Sequence, residues 1–191
     1  MALDDGDGGA HTLLALQLFV PLGRSLARSE LLRLLRGVSS ATDTADKTRF
    51  WLDTLAVVRR LLPEAHYGVW DYVDDDERAL EEYQQWCDGT VADAETAEPP
   101  APGVPSYAFV TLLLLCDAGA EADLRLAAMS EIAEDDPWSL SSFEAWLDTL
   151  AALDWRAVKS DTVFVRPGEG GYGVSADLLR EAQYHYLQPL L

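Results

Sequence analysis

A hexapeptide occurs twice in this chain. Trp51-Leu52-Asp53-Thr54-Leu55-Ala56 returns unchanged as Trp146-Leu147-Asp148-Thr149-Leu150-Ala151, 95 positions further on. At average residue usage, chance would place such a repeat in about one chain of this length in a thousand. A repeat constrains the fold more tightly than composition does, because a duplicated unit must supply its secondary structure twice in the same order. The same shift lays Leu18 on Leu113, inside the two most apolar runs of the sequence.

Those runs, Thr12 to Val20 and Tyr107 to Cys116, read as strands, since neither carries helical periodicity and Pro21 closes the first. After each come two helical stretches: Ser29 to Arg36 and Thr48 to Leu62, then Leu124 to Glu134 and Ser141 to Leu153. Phe50, Trp51, Leu55, Val58, Leu61 and Leu62 share one helical face, as do Phe143, Trp146, Leu147, Leu150 and Leu153. A second strand follows in each half, His66 to Val73 and Asp161 to Arg166. A short helix, Glu77 to Trp86, and a final helix from Ser175 end the two halves.

Each half therefore reads as strand, helix, helix, strand, helix. The expected fold is α+β: an internally duplicated unit forming a four-stranded, ferredoxin-like sheet with helices. The apolar strands belong at its centre and the alternating ones at its edges, whose direction the pattern leaves open. Residues 1–10 read as a flexible acidic tail, 11–88 as the first half, 89–105 as a linker and 106–191 as the second half. The linker assignment rests on Pro99, Pro100, Pro102 and Pro105 among alanines and acids.

Charge sets limits on partners. The 191 residues carry a net charge of −19, with only two lysines, Lys47 and Lys159. Phosphate backbones and anionic membranes would be repelled. The acidity fits either a surface kept soluble by repulsion or a face built for a basic partner. A hydrophobic fraction of 49% with mean hydropathy of −0.04 fits a folded soluble protein. Cys87 and Cys116 form neither a disulfide framework nor a zinc motif, and the acidic start Met1-Ala2-Leu3-Asp4-Asp5 is no signal peptide. The expectation is a cytoplasmic chain without a membrane span.

Candidate chemistry is sparse. Gly168-Glu169-Gly170-Gly171-Tyr172-Gly173 matches G-x-G-x-x-G, but only 18 residues follow, too few for the further strand and acid of a dinucleotide fold. Asp74-Asp75-Asp76-Glu77 lacks the alternating spacing of a calcium loop and is explained by helix capping. His11, His66 and His185 make no ligand pair with another His or Cys, and Cys116 lies in an apolar strand. No catalytic residue, metal or cofactor is therefore assigned. The candidate interface is Trp70, Tyr72, Asp74, Asp75 and Asp76, where an edge strand with aromatic side chains ends in acids. The bland alternative is that the terminal helix, through Leu178, Leu179 and Tyr184, covers these aromatics.

Leu16-Gln17-Leu18 with Arg24-Ser25-Leu26, the strand Tyr107 to Leu115, and Val165-Arg166-Pro167 with Leu178-Leu179 and Tyr184 to Leu190 carry a resemblance. Together they resemble an uncharacterised cyanobacterial and chloroplast family that includes the plant fluctuating-light-acclimation protein. The resemblance implies a regulatory or scaffolding role and supplies no catalytic residues. The leading expectation is a non-enzymatic interaction module: an adaptor, scaffold or regulator with a basic protein partner. The alternative is a sensor holding a small ligand between the two halves.

Overall fold

The two long apolar runs pair with each other. β1 (His11–Pro21) and β3 (Ser106–Asp117) are antiparallel along their full length, from His11 opposite Asp117 to Pro21 opposite Tyr107. β1 is buried from His11 to Val20 and β3 from Tyr107 to Cys116, the signature of strands covered on both faces. This arrangement comes from a computed structural model, which describes residues 9–22, 26–37, 44–95, 99, 101–168 and 171–190. Most of the acidic tail, residues 1–8, and positions 169 and 170 of the glycine-rich loop lie outside the described residues.

β2 (Tyr67–Val73) pairs with the free side of β1, and β4 (Val158–Arg166) with the free side of β3, both antiparallel. Two short strands complete the sheet: β5 (Val174–Ser175) on β3 and β6 (Gln188–Pro189) on β2. The sheet thus has six strands, with the path β4-β3-β1-β2-β6 and β5 beside β3. Helices α1 (Leu26–Gly37) and α2 (Thr44–Leu61) join β1 to β2, and α3 (Asp76–Glu95) follows β2. Helices α4 (Glu121–Ala133) and α5 (Leu140–Ala151) join β3 to β4. The protein is α+β.

The order differs from the expected ferredoxin-like one. In a split βαβ unit, a strand of the other half separates two strands of the same half. Here β1 lies directly beside β2, and β3 beside β4. The connections explain why. One crossover helix returns the chain to the end where the strand began, giving a parallel neighbour, whereas two helices carry it back and out again. The next strand then starts where the last one ended and runs antiparallel.

Moved 95 positions along, the first residues of β1 and α1 fall on Ser106 and Glu121, the first residues of β3 and α4. The tryptophans of the repeated hexapeptide, Trp51 in α2 and Trp146 in α5, are both fully buried in one cluster. That cluster fills the sheet face carrying Leu14, Leu16 and Leu18, beneath α1, α2, α4 and α5. Ser139 starts α5 by accepting the Ser142 N–H on its side chain at 3.1 Å.

The opposite face is covered in two parts. Leu13, Ala15, Leu113 and Leu115 pack with Ala79 and Tyr83 of α3. Phe19, Tyr107 and Phe109 pack with Val174 and Tyr184 from the C-terminal segment. The final helix expected from Ser175 does not form. Leu178–Arg180 and Ala182–Tyr184 make two short 3-10 turns, separated by an extended Glu181 with ψ 158°. Both ends of the segment are tied to the sheet, Ala176 N–H to Pro105 O at 2.8 Å and Leu190 N–H to His66 O at 3.0 Å. These tethers and the burial of Tyr184 override a local helical preference. In the first half the opposite happens: α3 runs past Trp86 to Glu95, into the stretch read as linker. No helix among the described residues is long and apolar enough to cross a membrane.

Candidate functional site

β2 is an edge strand for most of its length. Only Tyr67 and Gly68 meet β6, opposite Pro189 and Gln188, so among the described residues Val69 to Val73 gain no strand partner on that side. Its alternation sends Trp70 and Tyr72 to the face that also carries α4 and α5, while Val73 faces α3. Trp70 is half-buried: its indole N–H donates to Pro137 O at 2.8 Å, and its ring lies 5.2 Å from Trp146 and 6.3 Å from Trp138. The Tyr72 hydroxyl donates to Asp123 of α4, whose other carboxylate oxygen accepts the Gly119 N–H at 2.7 Å. Burial first, and then the Asp123 carboxylate, push the Tyr72 hydroxyl pKa up.

The two aromatics are thus backed from within the monomer, but not by the terminal segment. Tyr184 lies on the opposite face, edge-on to Phe19 at 6.2 Å. Covering comes instead from α4 and the turn before α5, which the sequence pattern did not connect with β2.

The three acids divide. Asp75 accepts the Arg78 N–H at 3.0 Å and so caps α3. Asp76 accepts both the backbone N–H of His11 at 2.8 Å and a bond from its ring Nδ1 at 2.9 Å, and these bonds hold its carboxyl below the usual range. On the other ring nitrogen, Lys159 Nζ donates to His11 Nε2 at 2.7 Å, so this cluster ties the start of β1 to α3 and β4. Asp74 alone of the three lines the same groove as Trp70 and Tyr72.

That groove has a volume of about 540 Å³. One wall is β2 with Trp70, Tyr72 and Asp74; the other is α4 with Glu131 and Glu134, and Trp138 closes one end. Three carboxylates, those of Asp74, Glu131 and Glu134, face it, and no cation lines it among the described residues. Asp71 alternates to the other side of β2, where burial first and then Glu82 of α3 push its carboxyl up. Glu131, Glu134 and Trp138 were missed because α4 reads as a core helix. The signal was present in Glu134-Asp135-Asp136-Pro137-Trp138, a second juxtaposition of acids and tryptophan.

Other candidate chemistry disperses. Cys116 is fully buried, and burial pushes its thiol up to about 12, so it is unreactive at neutral pH. His66 contacts the Tyr107 hydroxyl at 3.2 Å, and His185 is exposed. Behind the glycine-rich loop come β5 and 3-10 turns rather than the helix a dinucleotide site requires. Gly173 has φ +72°, and a Cβ there would meet Tyr107 O at 2.4 Å, so this glycine serves the close approach of β5 to β3. Among the described residues no group of three or more His, Cys, Asp or Glu is placed to hold a metal ion. Comparisons with protein-family models, curated proteins and solved structures find no match to this chain.

Proposed function

We propose that this chain is a non-enzymatic interaction module, an adaptor or regulator that docks a basic, extended protein segment along the free edge of β2. The observation that carries the reading is the acidic aromatic groove beside an unpaired stretch of strand. An added strand would take main-chain hydrogen bonds from Val69 to Val73, and alternate lysine or arginine side chains would enter the groove. There Asp74, Glu131 and Glu134 offer ion pairs, and Trp70 and Trp138 offer ring faces to the same cations. A net charge of −19 would speed the encounter and make it salt-sensitive.

The same reading takes the two halves to be one unit duplicated, supported by the repeated hexapeptide and the coincident starts of β1 with β3 and α1 with α4. Membership of the cyanobacterial and chloroplast family rests on its short motifs alone. A small-ligand sensor is the second reading, favoured by a separate cavity between α3 and the C-terminal turns.

Titration with a peptide of alternating lysine and valine, against a glutamate–valine control, tests the docking reading by tryptophan fluorescence. The expected result is saturable binding of the lysine peptide alone, weakened by salt and abolished by Glu131→Lys with Glu134→Lys. Both glutamates are exposed, so the double variant should keep its melting temperature. Equal binding by the charge-reversed variant would overturn the reading.

A further inference from the structure

The central strands carry one interruption in their apolar character on the face opposite the four helices. Gln17 of β1 stands across from Thr111 of β3, and both are buried, at 3% and 0% exposure. They sit between the two apolar clusters of that face, one under α3 and the other under the C-terminal turns. The Gln17 amide donates to Thr111 Oγ1 at 2.8 Å, and its carbonyl accepts the Tyr186 hydroxyl at 3.2 Å. A leucine pair would fill this seam without needing partners, so the polar atoms are retained at some expense of apolar burial.

Above the seam α3 and the C-terminal turns part, leaving an open cavity of about 490 Å³ with Gln17 in its floor. That volume lies within the range of small-molecule sites. Trp86 of α3 and Tyr186 form an aromatic corner, their rings 6.1 Å apart and nearly perpendicular. Gln17 has a second N–H and a second lone pair left after its two bonds, a donor and acceptor side by side. The charged groups on the wall are Glu81, Glu82 and Arg78, and Arg78 is already engaged by Glu82 at 2.7 Å. An anion would meet an uncompensated negative wall here, while an uncharged ring would not.

We propose that this cavity binds a neutral nitrogen heterocycle of the nucleobase or nucleoside class. The ring would lie against Trp86, and its donor–acceptor edge would meet the Gln17 carboxamide. Carboxylates on the wall would select against the phosphorylated forms. The two sides of the cavity come from α3 of the first half and the C-terminal segment of the second, so a ligand would clamp the halves together. The inference uses none of the residues of the β2 groove and stands apart from the docking reading.

The test is titration of isotope-labelled protein with adenosine, guanosine, cytidine and uridine, and with their 5′-monophosphates, followed at the Trp86 indole N–H resonance. One nucleoside should shift that resonance saturably, with its monophosphate at least tenfold weaker. Gln17→Leu should weaken the nucleoside at least tenfold. Gln17→Leu with Thr111→Val, which leaves no buried Thr111 hydroxyl unpaired, should do so while melting no lower than the parent protein, and Trp86→Ala should weaken binding through loss of the ring contact. Absence of a saturable shift with all four nucleosides at millimolar concentration would overturn the proposal. So would equal affinity for the monophosphate, or undiminished binding by Gln17→Leu. Glu131→Lys with Glu134→Lys should leave this binding unchanged, which separates failure here from failure of the docking reading.

Discussion

The two tryptophans of the repeated hexapeptide should respond differently to the same substitution. Trp51 and Trp146 are both fully buried, so replacing either by phenylalanine removes the same atoms from similar surroundings. Their polar environments differ. The Trp51 indole N–H donates to Asp161 Oδ2 at 2.6 Å, whereas the Trp146 indole N–H is buried with no protein acceptor. Trp51→Phe deletes a hydrogen bond to a charged group, a loss of about 1.5–3 kcal/mol beyond the cavity term. Trp146→Phe removes a buried donor without a partner and so relieves about 1–3 kcal/mol. The shared cavity term cancels in the comparison, leaving Trp51→Phe the more destabilising by at least about 2 kcal/mol. In a domain of this size that difference separates the two melting temperatures by about 4–8 °C. Urea unfolding followed by far-ultraviolet circular dichroism measures it independently of tryptophan emission. Equal losses, or a larger loss at Trp146, would refute the reasoning.

Tyr72→Phe should lower stability by about 1–2 kcal/mol at neutral pH, read by urea unfolding, through loss of the bond to Asp123. Because the native state raises the Tyr72 pKa above the 10.0 of a free tyrosine, the unfolded chain loses that proton first as pH rises. The contribution is therefore full below pH 10 and lost above it, so the variant should show a shallower decline of stability in alkali than the parent. Gly68→Ala should destabilise by about 1–3 kcal/mol, since a Cβ there meets Phe143 Cζ at 2.7 Å and Leu190 at 3.1 Å; an unchanged melting temperature would contradict the packing of β2 on α5. Iodoacetamide should label half-buried Cys87 in the native protein and reach Cys116 only on unfolding, as resolved by mass spectrometry.

What the sequence discloses about the fold depends on how local the determining physics is. β1 and β3 are legible because continuous apolar runs such as Leu112-Leu113-Leu114-Leu115 can be satisfied only between two covered faces. Their helices are legible from periodic faces such as Phe143, Trp146, Leu147 and Leu150. The strand order is not, because it depends on where two successive helices return the chain. Nor is the C-terminal segment: Leu178 to Tyr184 has helical composition, but tethers to Pro105 and His66, far away in sequence, decide its shape. The groove was half legible. Trp70, Tyr72 and Asp74 declare one wall as an aromatic edge strand ending in acids, while Glu131 and Glu134 reach it only through the packing of α4 on β2.

The docking reading meets its most direct test in amide hydrogen exchange at β2, with and without the lysine–valine peptide. Among the described residues Val69 to Val73 have no strand partner on their outer side, so their outward-facing amides should exchange readily in the free protein. A docked strand should protect those amides at low salt and release them again as salt is added. Protection confined to another surface, or exchange at β2 that the peptide leaves unaltered, would contradict the account.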